Sequence, residues 1–487
     1  MYQVLRRSSE NIIKSVLWVI LCLVPHGVSE LAWCADANAA RETSTAQEKL
    51  VATNLRYISR QDYKRALADF EAVVKQNKSD ETAWFYVGVC LGRLGRHQEA
   101  IEAYLKTLMI NPRHAEACSN LGWLYGKLER WREAVDAYQH AIQIKPDLAE
   151  AYNNLGWAYH QMGLYPEAVE AYLQALKLRP RFAVLHNNLA MTYRVLGRDA
   201  EAILSYQQAI LINPKYAEAH NNLGVCYAKS NQWHEAAECY VQAIQIRTDY
   251  AEAHNNLGVA YHKLGLEKEA IEAFREALSI NPSVAEVHNG LGLAYGGLCR
   301  WQDAVEAYSQ ASHLKPDFVE ALYNLAEAYG KLGRYGDEVR TWKRAIHIAP
   351  DSALAHNNLG VACGKLGKYR EEAKSCRQAV KIQPDLAIAH YNLVLCYRRL
   401  GERQLEREEE RTLNLLDPSL AKQLRELTTS QFTVSVDDVA ALRKRANLTF
   451  DGPLQSAAGE DAEGMNRGMN QMINRHPANA RRPPALD

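Results

Sequence analysis

Rows of one polar residue type, returning at a fixed interval, are the features of this sequence with the clearest chemical content. Asn120, Asn154, Asn188, Asn222, Asn256, Asn324, Asn358 and Asn392 form such a series, broken only by Gly290. A side-chain amide both donates and accepts, so a ladder of amides can satisfy the backbone of an extended peptide without reading its side chains. The same amides can instead bond between neighbouring helices, and residue type alone leaves both readings open. Six histidines (His186, His220, His254, His288, His356 and His390) also share one register. A metal ion needs ligands converging to about 2 Å, whereas one histidine per interval is spread along the chain. They are read as packing residues standing in for Trp or Tyr. Glu116, Glu150, Glu218, Glu252, Glu286 and Glu320 make an acidic row, read as a solvated face or as a selector of basic partner segments. No C-x-x-C pair occurs, and the later cysteines read as small buried hydrophobes and free thiols, with Cys363 and Cys376 the one pair to inspect for a disulfide. No nucleophile–base set or phosphate loop stands out, so no catalytic residue, metal or cofactor is expected.

The elements that must hold these rows follow from a second periodicity. Pro112, Pro146, Pro180, Pro214, Pro282, Pro316, Pro350, Pro384 and Pro418 are separated by 34 residues or a multiple of it, with Thr248 in the one gap. Within residues 149–182, Leu155 and Tyr159 lie four apart on one helical face, and Ala168, Tyr172 and Ala175 lie on one face of the next helix. Gly156 and Ala168 are small enough for close approach, Gly163 suits a left-handed turn, and Pro180 cannot continue a helix. Asn231 tolerates the conformation of Gly163, whereas Glu129 and Cys299 fit it less well.

This period and pattern are similar to the tetratricopeptide repeat, a pair of antiparallel helices. The resemblance implies an all-α fold, a right-handed superhelical α-solenoid of antiparallel helix pairs in 34-residue units. A degenerate first unit is expected at 47–80, then about ten units over 81–420, with a capping helix at 419–427 overlapping the last. The last unit loses the small residues of its second helix to Glu406 and Glu410. Residues 428–487 are expected to be mostly disordered, with a short helix at 436–448.

In this family the first helix of each unit lines a concave groove. The resemblance therefore turns Asn153, Asn154, Trp157, His160 and Gln161 inward. Trp123 and Trp157, at one register in adjacent units, then form either an aromatic patch for a ligand ring or proline, or padding of the groove floor. The run His/Tyr-Asn-Asn-Leu-Gly resembles the superhelical repeat region of the nucleocytoplasmic O-GlcNAc transferases, where an asparagine ladder grips an extended peptide. The likeness covers the repeats only; the residues after them are too few for a sugar-nucleotide domain. The carboxylate clamp of chaperone-binding repeats is not matched, since Asn stands where that clamp has Lys and Val225, Val259, Leu293 and Val361 follow one turn on.

Lys+Arg and Asp+Glu both number 57, so no basic excess points to nucleic acid. Arg6, Arg7, the apolar run 15–24 and Ala35-Asp36-Ala37 have the layout of a secretory signal peptide at 1–37, with a linker at 38–46. Export to a periplasmic or secreted location is expected, and membrane contact only through that segment if it stays uncleaved. The functional expectation is a non-catalytic scaffold binding proteins or extended peptides in its groove, for assembly, secretion or envelope biogenesis. The alternative is an accessory subunit that presents substrates to a separate glycosyltransferase or polysaccharide-export machinery.

Overall fold

A computed structural model describes residues 62–429, with side chains to 426. The signal segment, the start of the degenerate unit and the tail with its expected helix lie outside the described residues. Among the described residues the chain is all-α, with 22 helices and no strand. Two compact units divide it at Pro146. The first holds α1 (Tyr63–Gln76), α2 (Glu81–Arg93), α3 (His97–Ile110), α4 (Ala115–Lys127) and α5 (Trp131–Ile144). The second begins with α6 (Ala149–Gln161), α7 (Tyr165–Leu178), α8 (Ala183–Val195), α9 (Asp199–Ile212), α10 (Ala217–Lys229) and α11 (Trp233–Ile246). It continues with α12 (Ala251–Lys263), α13 (Glu267–Ile280), α14 (Ala285–Gly297), α15 (Trp301–Leu314), α16 (Val319–Lys331) and α17 (Tyr335–Ile348). Its last members are α18 (Ala353–Lys365), α19 (Tyr369–Ile382), α20 (Ala387–Leu400), α21 (Arg403–Leu416) and α22 (Pro418–Thr429).

Each 34-residue repeat is a helical hairpin, and hairpins stack on their sequence neighbours within each unit. The small residues of the pattern exist to admit one ring. A Cβ on Gly156 would lie 2.8 Å from the Tyr172 ring, and Gly122, Gly224, Gly258 and Gly292 meet Tyr138, Tyr240, Phe274 and Tyr308 in the same way. Ala168, Tyr172 and Ala175 are fully buried beneath that contact. In these hairpins glycine leaves the space that the ring of the second helix fills, whereas Ala190 and Ala326 stand at the same register opposite Tyr206 and Trp342.

The hairpin turn is equally regular. Gly163 has φ +75°, its N–H donates to His160 O, and Leu164 N–H donates back to Tyr159 O at 2.9 Å. That pairing satisfies carbonyls which the end of the first helix would otherwise leave unbonded. Glu129, Asn231 and Cys299 adopt the same left-handed conformation at φ 56–57°. A side chain there clashes with its own backbone at about 1–2 kcal/mol. Cys299→Gly and Glu129→Gly are therefore each expected to raise stability by about 1 kcal/mol, read as a rise in the urea midpoint at unchanged slope.

Candidate functional site: the face of the first helices

In the second unit, successive first helices (α8, α10, α12, α14) approach one another more closely than the second helices do. The first helices therefore line the inner side of this stack. Their buried stripe, represented by Ala151, Leu155 and Ala158, faces the second helices, and the stripe of Asn153, Trp157, His160 and Gln161 is half-open.

The asparagine ladder runs through that stripe as a chain of bonds between repeats. Asn188 donates to Asn153 Oδ1 at 3.1 Å, Asn222 to Asn187 at 3.4 Å and Asn256 to Asn221 at 3.1 Å. Asn324 donates to Asn289 at 3.0 Å and Asn392 to Asn357 at 2.7 Å. Asn154 and Asn358 accept from their own neighbours Asn153 and Asn357. In the first unit, Asn120 donates to the Tyr104 hydroxyl at 3.2 Å. Of the two readings left open by the sequence, the bonding between helices is what the geometry displays. The gap in the series has a steric origin: a Cβ on Gly290 would lie 2.7 Å from the ring of Phe274.

The histidine row does more than pack. His186, His220, His254, His288, His356 and His390 each place Nε2 at 2.9–3.1 Å from the carbonyl six residues earlier, which belongs to the recurring proline or to Thr248. A carbonyl only accepts, so Nε2 carries the proton. Trp84, at the equivalent place, donates Nε1–H to Lys78 O at 3.0 Å. Each ring therefore staples the loop that joins two repeats, which corrects the expectation of packing alone.

The acidic row is also engaged. Glu116, Glu150, Glu218 and Glu286 pair with Lys145, Arg179, Arg247 and Lys315, 29 residues on, at 2.8–3.3 Å. Where no cation stands 29 residues on, the carboxylate meets the ladder: Asn221 donates to Glu252 and Asn289 to Glu320. Burial raises the Glu252 pKa despite that hydrogen bond.

Trp123 and Trp157 differ in setting. Trp123, in the first unit, is 38% exposed with the Lys127 ammonium 5.6 Å from its ring centroid. Trp157, in the second, stacks on His160 at 5.5 Å and 3°. Burial, helped by the Arg194 charge, pushes the His160 pKa down to about 4. Thr192 spends its hydroxyl proton on Asn188 O, so His160 donates from Nδ1 to that oxygen at 3.0 Å. Cys363 and Cys376 are both buried and not joined in a disulfide, and burial raises the Cys363 pKa.

Two buried carboxylates were missed from sequence. Glu338 and Glu372 stand at the register of Ala168, ahead of Glu406. Lys365 Nζ is 3.2 Å from both Glu338 oxygens, Arg399 is 3.6 Å from Glu372 and Arg398 is 2.6 Å from Glu406. Gly330 and Gly364 make the room: a Cβ there would reach the two buried carboxyl groups at 3.0 and 2.6 Å. The replacement of alanine by glutamate at 34-residue spacing was the available signal.

His390 alone in its row has a carboxylate on its second nitrogen, Glu409 Oε2 at 2.5 Å from Nδ1. With acceptors at both nitrogens the ring is held as imidazolium, and the Glu409 hydrogen bond raises its pKa. The folded form therefore binds the proton more tightly than the unfolded chain does. That stabilisation is complete below the ordinary histidine pKa and is lost as pH rises through the raised value. The melting temperature of the parent chain is expected to fall over that range above about pH 6.5, and Glu409→Gln should flatten the fall.

Family models match along the chain. The model described as "Tetratricopeptide repeat" covers residues 149–182, and a second model with that description covers 55–115. "TPR repeat" covers 125–163, and the C-terminal domain of cilia and flagella-associated protein 70 covers 183–392. No curated protein matches the sequence. Among solved structures, MamA is 28% identical over 35% of this chain and 92% of its own, at a TM-score of 0.33. YrrB, described as a TPR protein with an unusual peptide-binding site, is 24% identical over 38% of this chain and 96% of its own, at 0.33. The Cut9–Hcn1 hetero-tetramer of the APC/C is 13% identical over 77% of this chain and 95% of that chain, at 0.39. The helical hairpins, their ring-on-glycine contacts and these family models agree: the chain is a tetratricopeptide-repeat protein.

Proposed function

We propose that this chain is an exported, non-catalytic scaffold whose first helices hold extended segments of partner proteins. The observation that carries the reading is the half-open stripe of α6 to α18, where Trp157, Met191, Val225, Val259, Leu293 and Val361 recur at one register. Half-buried apolar side chains in a row on an inner wall still have water to lose, and an extended segment covering them gains that burial. The ladder amides, already bonded to one another, contribute mainly by fixing the spacing of this row; their remaining acceptor capacity is available to a peptide N–H. The resemblance of the His/Tyr-Asn-Asn-Leu-Gly run to the repeats of O-GlcNAc transferases supports a peptide as the ligand, and the signal-like start supports export.

A photo-crosslinking amino acid placed at Val225 or Val259 in the native host should give discrete adducts with partner chains. The same group at Leu211, on the exposed side of α9, should not. Adducts from Leu211 alone would place binding on the other face and overturn the proposal. Mature protein should begin near Asn38 and fractionate outside the cytoplasm, and an intact Met1 or Tyr2 on soluble cytosolic protein would remove export from it.

A further inference from the structure

Two charged side chains on the inner face of the second unit have no oppositely charged group in direct ion-pair contact among the described residues. Arg194, near the end of α8, shares its register with His262 and Arg398. His262 has Glu267 at 2.8 Å and Arg398 has Glu406 at 2.6 Å, but Arg194 has no carboxylate in ion-pair contact among the described residues; the buried Glu252 feels its charge only from beyond that range. The nearest acid in sequence, Asp199, is taken by Lys229 at 3.1 Å. The Nε of Arg194 is buried with no hydrogen-bond acceptor among the described residues. A buried donor on a charged group is costly to leave unbonded, and native structures rarely do so without a ligand or water to supply the acceptor.

Glu327 is the second. It occupies the register of Trp157, where α8 to α14 and α18 carry Met191, Val225, Val259, Leu293 and Val361. Its side chain is exposed. Lys331, one helical turn on and well placed for an ion pair, lies instead over the Trp301 ring at 5.8 Å. The inner face thus presents a cation on α8, apolar Val225, Val259 and Leu293 on the three first helices that follow, and an anion on α16.

Resting on the reading of this face as a peptide groove, we propose that it selects an extended peptide with an acidic side chain opposite Arg194, apolar residues between, and a basic side chain opposite Glu327. Four steps between neighbouring first helices, at about 10 Å each, are spanned by roughly 12 extended residues. Opposite charges at the two ends also fix the direction in which the peptide lies, because the reversed peptide sets like charges against each other.

A displayed library of random peptides of about 16 residues, panned on the full-length chain, tests this. Peptides recovered on the parent chain should carry one acidic and one basic residue about 12 positions apart, in a single order. Arg194→Glu and Glu327→Lys should each weaken a parent-selected peptide at least tenfold, and reversing the facing charge on the peptide should restore binding. The double variant should select the opposite order. Circular dichroism of each variant, expected to match the parent, shows that helix content is retained. Peptides recovered without a charge pattern, or unchanged by both substitutions, would overturn the charge selection while leaving the groove in place. Recovery of no peptide on any chain would overturn the groove reading itself.

Discussion

Changing Asn154, Asn188, Asn222 and Asn256 together to alanine is expected to lower the melting temperature well below that of the parent chain. Three bonds between repeats disappear, those from Asn188 to Asn153, Asn222 to Asn187 and Asn256 to Asn221. The acceptors Asn187 and Asn221 are 5% and 0% exposed, so water cannot replace the lost donors there. Each buried group stripped of its partner costs about 1–3 kcal/mol, and the sum is a large fraction of what holds a marginally stable chain together. Because repeats interact with their nearest neighbours, hydrogen exchange should rise mainly between residues 149 and 284. The same variant measures binding. A peptide held by the amides would lose about 0.5–1.5 kcal/mol per site, weakening by tens-fold or more. Lost stability with unchanged affinity would confine the ladder to bracing.

The second large effect concerns the ring on the glycine. Tyr172→Ala removes a fully buried ring from Gly156 and Leu155's hairpin and is expected to cost about 3–5 kcal/mol. Tyr172→Phe should do the opposite. The Tyr172 hydroxyl is buried with no hydrogen-bond partner among the described residues, and its removal relieves a desolvated polar atom at a gain of up to about 1 kcal/mol. Phe274 already occupies the equivalent place four hairpins away from the first unit's Tyr138. Tyr104 makes the control, because its hydroxyl accepts from Asn120 at 3.2 Å and Tyr104→Phe should therefore destabilise. Urea unfolding of the three variants separates these outcomes by sign. A stabilising Tyr104→Phe or a destabilising Tyr172→Phe would show that the hydroxyl environments are not as described.

The class of helix pair, its period, its turn and its small positions were all legible in the residues, because each depends on near neighbours in sequence. Gly163, Asn231, Glu129 and Cys299 share one left-handed turn because a helix end makes a local demand on φ that any residue at that place must meet. The alternation of Leu155, Tyr159, Ala168, Tyr172 and Ala175 marks the buried faces for the same reason: helical periodicity is a short-range property. What the polar rows do was decided by the tertiary stack. The partner of Asn188 is 35 residues away, that of Glu150 is 29 away and that of Glu338 is 27 away. A residue's type shows only that it can donate or accept; which atom receives the bond depends on how one hairpin is set against the next. Gly290 reads as a defect in a ladder until the Phe274 ring is seen to occupy its space, and Arg194 looks like any surface arginine until its Nε is seen buried without an acceptor among the described residues. Sequence therefore determined the repeat and its local geometry, whereas the assignment of each side chain to bracing or to an open inner face came from contacts between repeats, which no single unit encodes.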